Sequence, residues 1–167
     1  MKFLLFIAAI ISVIGCNQQK TESKEKKTEI ANPTLDSVQS FINAALDYHT
    51  AASNNYDLKA CGEMFTDDAN VIEYITPVKR LIGKKEIDSS TALELEYFKQ
   101  VKASFEVKWE THSLRINNDF AYQDATVNYT MNMPDSTPVK VSADTYLAWK
   151  KTGSNQWKVH TFVLYPR

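Results

Sequence analysis

Hydrophobic and polar positions divide the 167-residue chain into three regimes. Phe3 to Ile14 is an apolar run interrupted only by Ser12, and Asn17 to Glu29 contains no apolar residue at all. From Pro33 onward the pattern becomes periodic. Leu35, Val38, Phe41, Ile42, Ala45, Leu46 and His49 recur at intervals of three and four, which predicts a helix over Pro33–Asn55 with one apolar stripe. Thr34 or Asp36 is placed to cap its start. Asp57–Phe65 predicts a shorter helix with Leu58, Cys61 and Phe65 on one face. Thr66-Asp67-Asp68 reads as a turn, and the β-branched and aromatic stretch Ala69–Ile75 as a strand. Pro77 and Gly83 bracket a loop. Lys84–Lys99 predicts a third helix with Ile87, Leu93 or Ala92, Leu95 and Phe98 turned inward.

The period then changes to two. Phe105, Val107 and Trp109 alternate with charged residues; Ala125, Val127, Tyr129 and Met131 share one side of Ala121–Met133. Val139–Lys151 places Val141, Ala143, Thr145, Leu147 and Trp149 on one face, and Gln156–Tyr165 does the same with Trp157, Val159, Thr161, Val163 and Tyr165. Asn117–Asp119, Pro134–Ser136 and Thr152–Asn155 are the turns between these strands. Helices first, then hairpin-linked strands, predict an α+β fold whose helices cover one face of a mostly antiparallel sheet.

The opening residues carry an address. Lys2, the short apolar run and the small residue Gly15 have the anatomy of a secretory signal peptide. The run falls short of the roughly 20 residues a membrane span needs. Val13-Ile14-Gly15-Cys16 resembles the lipobox of bacterial lipoprotein signal peptides. That resemblance implies cleavage before Cys16, acylation of its thiol, and attachment of the domain to a membrane of the bacterial cell envelope, outside the cytoplasm. The expected organisation is a signal peptide at 1–15, a disordered tether at 16–33 that holds the domain off the membrane, and one folded domain at 34–167. Acylation of Cys16 leaves Cys61 alone, so no internal disulfide forms and Cys61 reads as a buried apolar residue. The net charge of −1 gives no basic field for a nucleic-acid partner.

Three phrases point to a family. Tyr56-Asp57-Leu58 with Met64-Phe65-Thr66-Asp67-Asp68-Ala69-Asn70-Val71, the Gly83-Lys84-Lys85-Glu86-Ile87 opening of the third helix, and Tyr146-Leu147-Ala148-Trp149-Lys150-Lys151 with Trp157-Lys158-Val159 resemble the nuclear transport factor 2-like (NTF2-like) superfamily. That superfamily includes the SnoaL-like proteins and the ketosteroid isomerases, and the resemblance spans Leu35–Tyr165. It implies a cone with three N-terminal helices packed on a curved sheet. It leaves function open, because the same scaffold hosts isomerases, cyclases, dehydratases and transport factors.

Glu73 is the leading chemical candidate. Strand alternation sets it on the same face as Val71, so its carboxylate points inward, where desolvation suits a general base. By resemblance it falls where the ketosteroid isomerases carry their catalytic aspartate. The alternative is a glutamate at the mouth of the cone, solvated or paired with Lys79 or Arg80. His49 lies on the apolar stripe of the first helix, near the isomerases' oxyanion tyrosine, with Tyr48 adjacent; an imidazole there donates a hydrogen bond or shuttles a proton. The isomerases' second oxyanion donor maps to Thr145, which cannot replace a protonated acid. Tyr48, Phe65, Trp109, Tyr129, Thr145, Trp149, Thr161 and Tyr165 are the expected ligand-binding set on the concave face. His160, Tyr146, Phe162 and Leu164 are expected on the convex face, the last three as a homodimer surface. No spacing suggests a metal site, and no motif calls for a cofactor. The expectation is a lipid-anchored module that binds a small hydrophobic molecule without catalysis. The alternatives are an isomerase- or dehydratase-type enzyme with Glu73 as base, and a protein-interaction module acting through the convex face.

Overall fold

The computed structural model describes residues 34–153 and 156–167. The expected signal peptide, Cys16 and the tether lie outside the described residues. The element order is α1 (Leu35–Asn54), α2 (Leu58–Glu63), β1 (Phe65–Glu73), β2 (Lys79–Ile82), α3 (Lys84–Gln100), β3 (Ser104–Asn117), β4 (Phe120–Asn132), β5 (Val139–Gly153) and β6 (Gln156–Pro166). The strands form one curved, six-stranded mixed sheet in the order β2-β1-β6-β5-β4-β3. Only the β1–β6 pairing is parallel.

Local chemistry sets the helix ends. Thr34 caps α1 by accepting from the Ser37 backbone N–H at 3.3 Å, and Asp57 caps α2 by accepting from Ala60 at 3.0 Å. Val38, Ile42 and Leu46 bury the apolar stripe of α1 against Leu147, Trp149, Trp157 and Val159 of the sheet. The Asn54 side chain ties the end of α1 to β3, accepting from the Phe105 N–H at 2.6 Å and donating to its carbonyl at 2.9 Å. Gly83 precedes α3 with φ 81° and ψ 153°, a conformation suited to glycine alone, and its N–H reaches the Ala69 carbonyl at 2.7 Å.

Four local expectations are corrected. The second helix stops at Glu63, and Phe65 already begins β1, so Thr66-Asp67-Asp68 lies within an irregular stretch of strand rather than in a turn. The Pro77–Gly83 loop contains the edge strand β2, paired antiparallel with β1. Leu93 is 76% exposed; the inward face of α3 carries Ile87, Leu95 and Phe98.

The fourth correction concerns β6. The β5–β6 register pairs Trp149 with Val159 but Ala148 with Thr161, which leaves His160 as an extra residue. Such a bulge turns every later side chain to the other face. Trp157 and Val159 enter the core before it, and Phe162 packs on the same core after it. A second bulge leaves His112 unpaired between Thr111 and Ser113 in β3.

Candidate functional site

A cavity of about 320 Å3 opens between the helices and the concave face of the sheet. Its walls are mainly apolar: Val71 from β1, Trp109 and Val127 from β3 and β4, Phe162 and Leu164 from β6, and Ile87, Leu95 and Phe98 from α3. The polar groups lie on different elements. His49 on α1 stands edge-on to Phe65 at the start of β1, with ring centroids 6.4 Å apart. Glu73 sits at the other end of β1, directly opposite Lys79 of β2.

Lys79 bridges two carboxylates. Its ammonium lies 3.4 Å from Glu73 Oε2 and 2.6 Å from Glu94 Oε1 on α3. Burial alone would lower the Lys79 pKa, but the hydrogen bonds and negative charge of Glu94 and Glu73 outweigh it and raise the value. Ser90 Oγ donates to the same Glu94 oxygen at 3.4 Å. Tyr129 lines the wall near this cluster; burial, then the charges of Glu73 and Glu94, push its phenol pKa up and hold it neutral. His49 behaves differently. Burial lowers its pKa, so its ring is a neutral imidazole, and it makes no side-chain hydrogen bond among the described residues. It therefore offers one N–H donor and one lone pair to whatever fills the cavity.

Solved structures share this architecture. An NTF2-like protein from Cytophaga hutchinsonii aligns over 77% of this chain and 98% of its own, with TM-score 0.58 and 15% identity. A ketosteroid isomerase-like protein from Erwinia carotovora atroseptica aligns over 76% and 94%, with TM-score 0.56 and 16% identity. The fold is the NTF2-like cone. ActVI-ORFA from Streptomyces coelicolor, at TM-score 0.65 and 10% identity over 77% of this chain and 96% of its own, has the same shape. No family model and no curated protein matches the sequence. At these identities the likeness carries the NTF2-like fold and nothing finer.

Within the NTF2-like cone the expected site residues separate. His49, Glu73, Phe65, Trp109 and Tyr129 line the cavity together. Trp149 is fully buried in the core, with its indole N–H donating to Gln123 Oε1 at 3.0 Å, and Thr145 donates to the Ala125 carbonyl. Neither lines the cavity. Tyr48 is 52% exposed on the outer side of α1 and donates to Glu63. The bulge at His160 reverses the rest. Thr161 and Tyr165 leave the concave face, and Tyr165 stacks on Tyr74 at 4.7 Å with 47% exposure. Phe162 and Leu164, expected on the convex face, line the cavity instead. Tyr146 does lie outside, stacked on Tyr122.

Lys79 and Glu94 complete the site. Lys79 already appears in the sequence as a charge partner for Glu73 across a Pro77 turn. Glu94, seven residues after Ile87, lies on the same side of α3 and reaches the cavity while half exposed. Phe162 and Leu164 carried no such signal. Among the described residues no cluster of histidine, cysteine and carboxylate side chains has the geometry to hold a metal.

Proposed function

We propose that the cone binds a small, largely apolar molecule and acts as a carrier or sensor rather than an enzyme. The observation that carries this reading is the pairing of Glu73 with Lys79 and of Lys79 with Glu94 at one end of an apolar cavity. A general base needs a lone pair free for the substrate proton; the Lys79 ammonium, 3.4 Å from Glu73 Oε2, leaves only Oε1 for that role. The neutral His49 imidazole and the Tyr129 phenol suit recognition by a few convergent polar groups, the usual design of a ligand pocket. The enzyme alternative keeps Glu73 as base and His49 as donor, yet Thr145 is committed to a backbone carbonyl and supplies no second acid.

The test is isothermal titration of the purified protein with 1-ethylnaphthalene, a neutral apolar probe that such a cavity accommodates. Saturable one-to-one binding that is lost in Val107→Trp, a variant that fills the cavity from β3, is the expected result. Binding that survives Val107→Trp, or no binding at all, overturns the reading.

The reading includes anchoring through acylated Cys16, supported by the lipobox-like sequence. Cys16→Ser then moves the protein from the membrane fraction to the soluble one. For the convex face, a homodimer rests on the stacked Tyr122 and Tyr146 with Phe120 beside them, not on Phe162 or Leu164. The expected result is a wild-type dimer and a Tyr146→Lys monomer by analytical ultracentrifugation; a monomeric wild type overturns the pairing.

A further inference from the structure

The charges lining the cavity do not cancel. Among its lining residues the ionised groups are Glu73, Glu94 and Lys79, and His49 is held neutral by burial. Two carboxylates face one ammonium, so this end of a mainly apolar chamber carries one uncompensated negative charge. Lys79 is engaged by both carboxylates, at 3.4 and 2.6 Å, and has no comparable freedom to receive a third. Each carboxylate keeps one oxygen that accepts no side-chain hydrogen bond among the described residues: Oε1 of Glu73 and Oε2 of Glu94. Tyr129 lines the same cavity, and an aromatic ring attracts a cation placed over its face. Glu73 is 23% exposed and Glu94 50%, so screening is weakened at Glu73 more than at Glu94.

We propose that the cavity selects apolar molecules ending in a protonated amine, with the ammonium held by Glu73 and Glu94 and the apolar body lying along Val71, Phe162 and Leu164. The proposal rests on the ligand-binding reading and names the ligand class for that same cavity. An acid-ended ligand would add a third negative charge beside two, with only an already shared ammonium to offset it. An amine-ended ligand completes the charge balance at two against two. His49 then serves the far end, where its neutral ring gives or receives one hydrogen bond from an uncharged polar group.

The test compares three probes of nearly one shape: 1-naphthylmethylammonium, 1-ethylnaphthalene and 1-naphthoate, titrated into the purified protein at neutral pH and low salt. The expected order is amine tightest and acid weakest, with the amine at least about tenfold tighter than the acid. In Glu73→Gln/Glu94→Gln the amine-to-acid ratio falls to about one or below, and in Lys79→Met it rises. Equal affinities for amine and acid, or an acid preference, overturn the proposal even while binding of 1-ethylnaphthalene leaves the pocket reading standing. Failure of all three probes removes both. Should the double variant fail to fold by circular dichroism, the wild-type ratio and the Lys79→Met shift decide the matter.

Discussion

The reversal of β6 at His160 determines which residues face the cavity, and it makes a quantitative prediction about Phe162 and Val163. With this bulge, Phe162 packs on the core cluster that includes Leu147 and lines the cavity, while Val163 turns outward. Truncating a fully buried Phe to Ala costs about 3–5 kcal/mol. Phe162 is only partly buried because one side faces the cavity, so roughly half of that applies, and Phe162→Ala is expected to lose about 2 kcal/mol. Val163→Ala removes two methyl groups from an outward position and is expected to lose about 0.5 kcal/mol. Urea denaturation followed by circular dichroism at 25 °C measures both, with unchanged m-values confirming that the same two states are compared. Unbroken alternation would put Val163 in the core and Phe162 on the surface. A larger loss in Val163→Ala than in Phe162→Ala therefore refutes the bulge and the cavity lining built on it.

Three further predictions follow from other elements. Gly83→Ala forces a side chain into a conformation at φ 81° that only glycine adopts readily, and is expected to cost about 1–3 kcal/mol in the same urea assay. Gln123 is fully buried between the Thr111 hydroxyl at 2.8 Å and the Trp149 indole at 3.0 Å. Gln123→Leu strands the indole N–H and is expected to cost about 1–3 kcal/mol; adding Trp149→Phe brings a total loss smaller than the sum of the two single variants. The pKa of His49 lies below its ordinary 6.5 because burial penalises the charged ring. The unfolded chain therefore gains its proton first as the pH falls, and stability declines from about pH 6.5 downward until the folded ring also protonates. His49→Leu flattens that decline, and urea midpoints measured at about pH 7.5 and about pH 5.5 in the two proteins check it.

Much of this fold is legible from periodicity because most elements bury one face only. The stripe of α1 and the alternation of β4 and β5 leave a single orientation that removes their apolar residues from water. Legibility ends where both faces are apolar. From Thr161 to Tyr165 every position is apolar, aromatic or β-branched, so hydrophobicity scores either orientation of β6 alike and the bulge at His160 leaves no trace. That ambiguity moved Thr161 and Tyr165 into the expected pocket and Phe162 and Leu164 out of it. The edge strand β2 is illegible for a different reason: it has only the four residues Lys79–Ile82, and its backbone pairing to β1 outweighs weak local propensity. Glu73 and His49 were readable as inward because each lies in phase with well-buried neighbours, Val71 and Leu46. What the pattern could not supply was the third dimension, in which Glu94 of α3 meets Lys79 of β2 and changes the character of Glu73.

The central claim is that a ligand occupies the concave face between α1, α3 and β6. The most direct measurement is a nuclear magnetic resonance titration of the labelled protein with 1-naphthylmethylammonium, following the Trp109 indole N–H and the methyl groups of Val71, Val127, Leu164 and Val163. The account predicts saturable shifts at Trp109, Val71, Val127 and Leu164, and none at the outward Val163. Shifts confined to Val163 and the convex face around Tyr146, or no saturable shift at the cavity residues, contradict it.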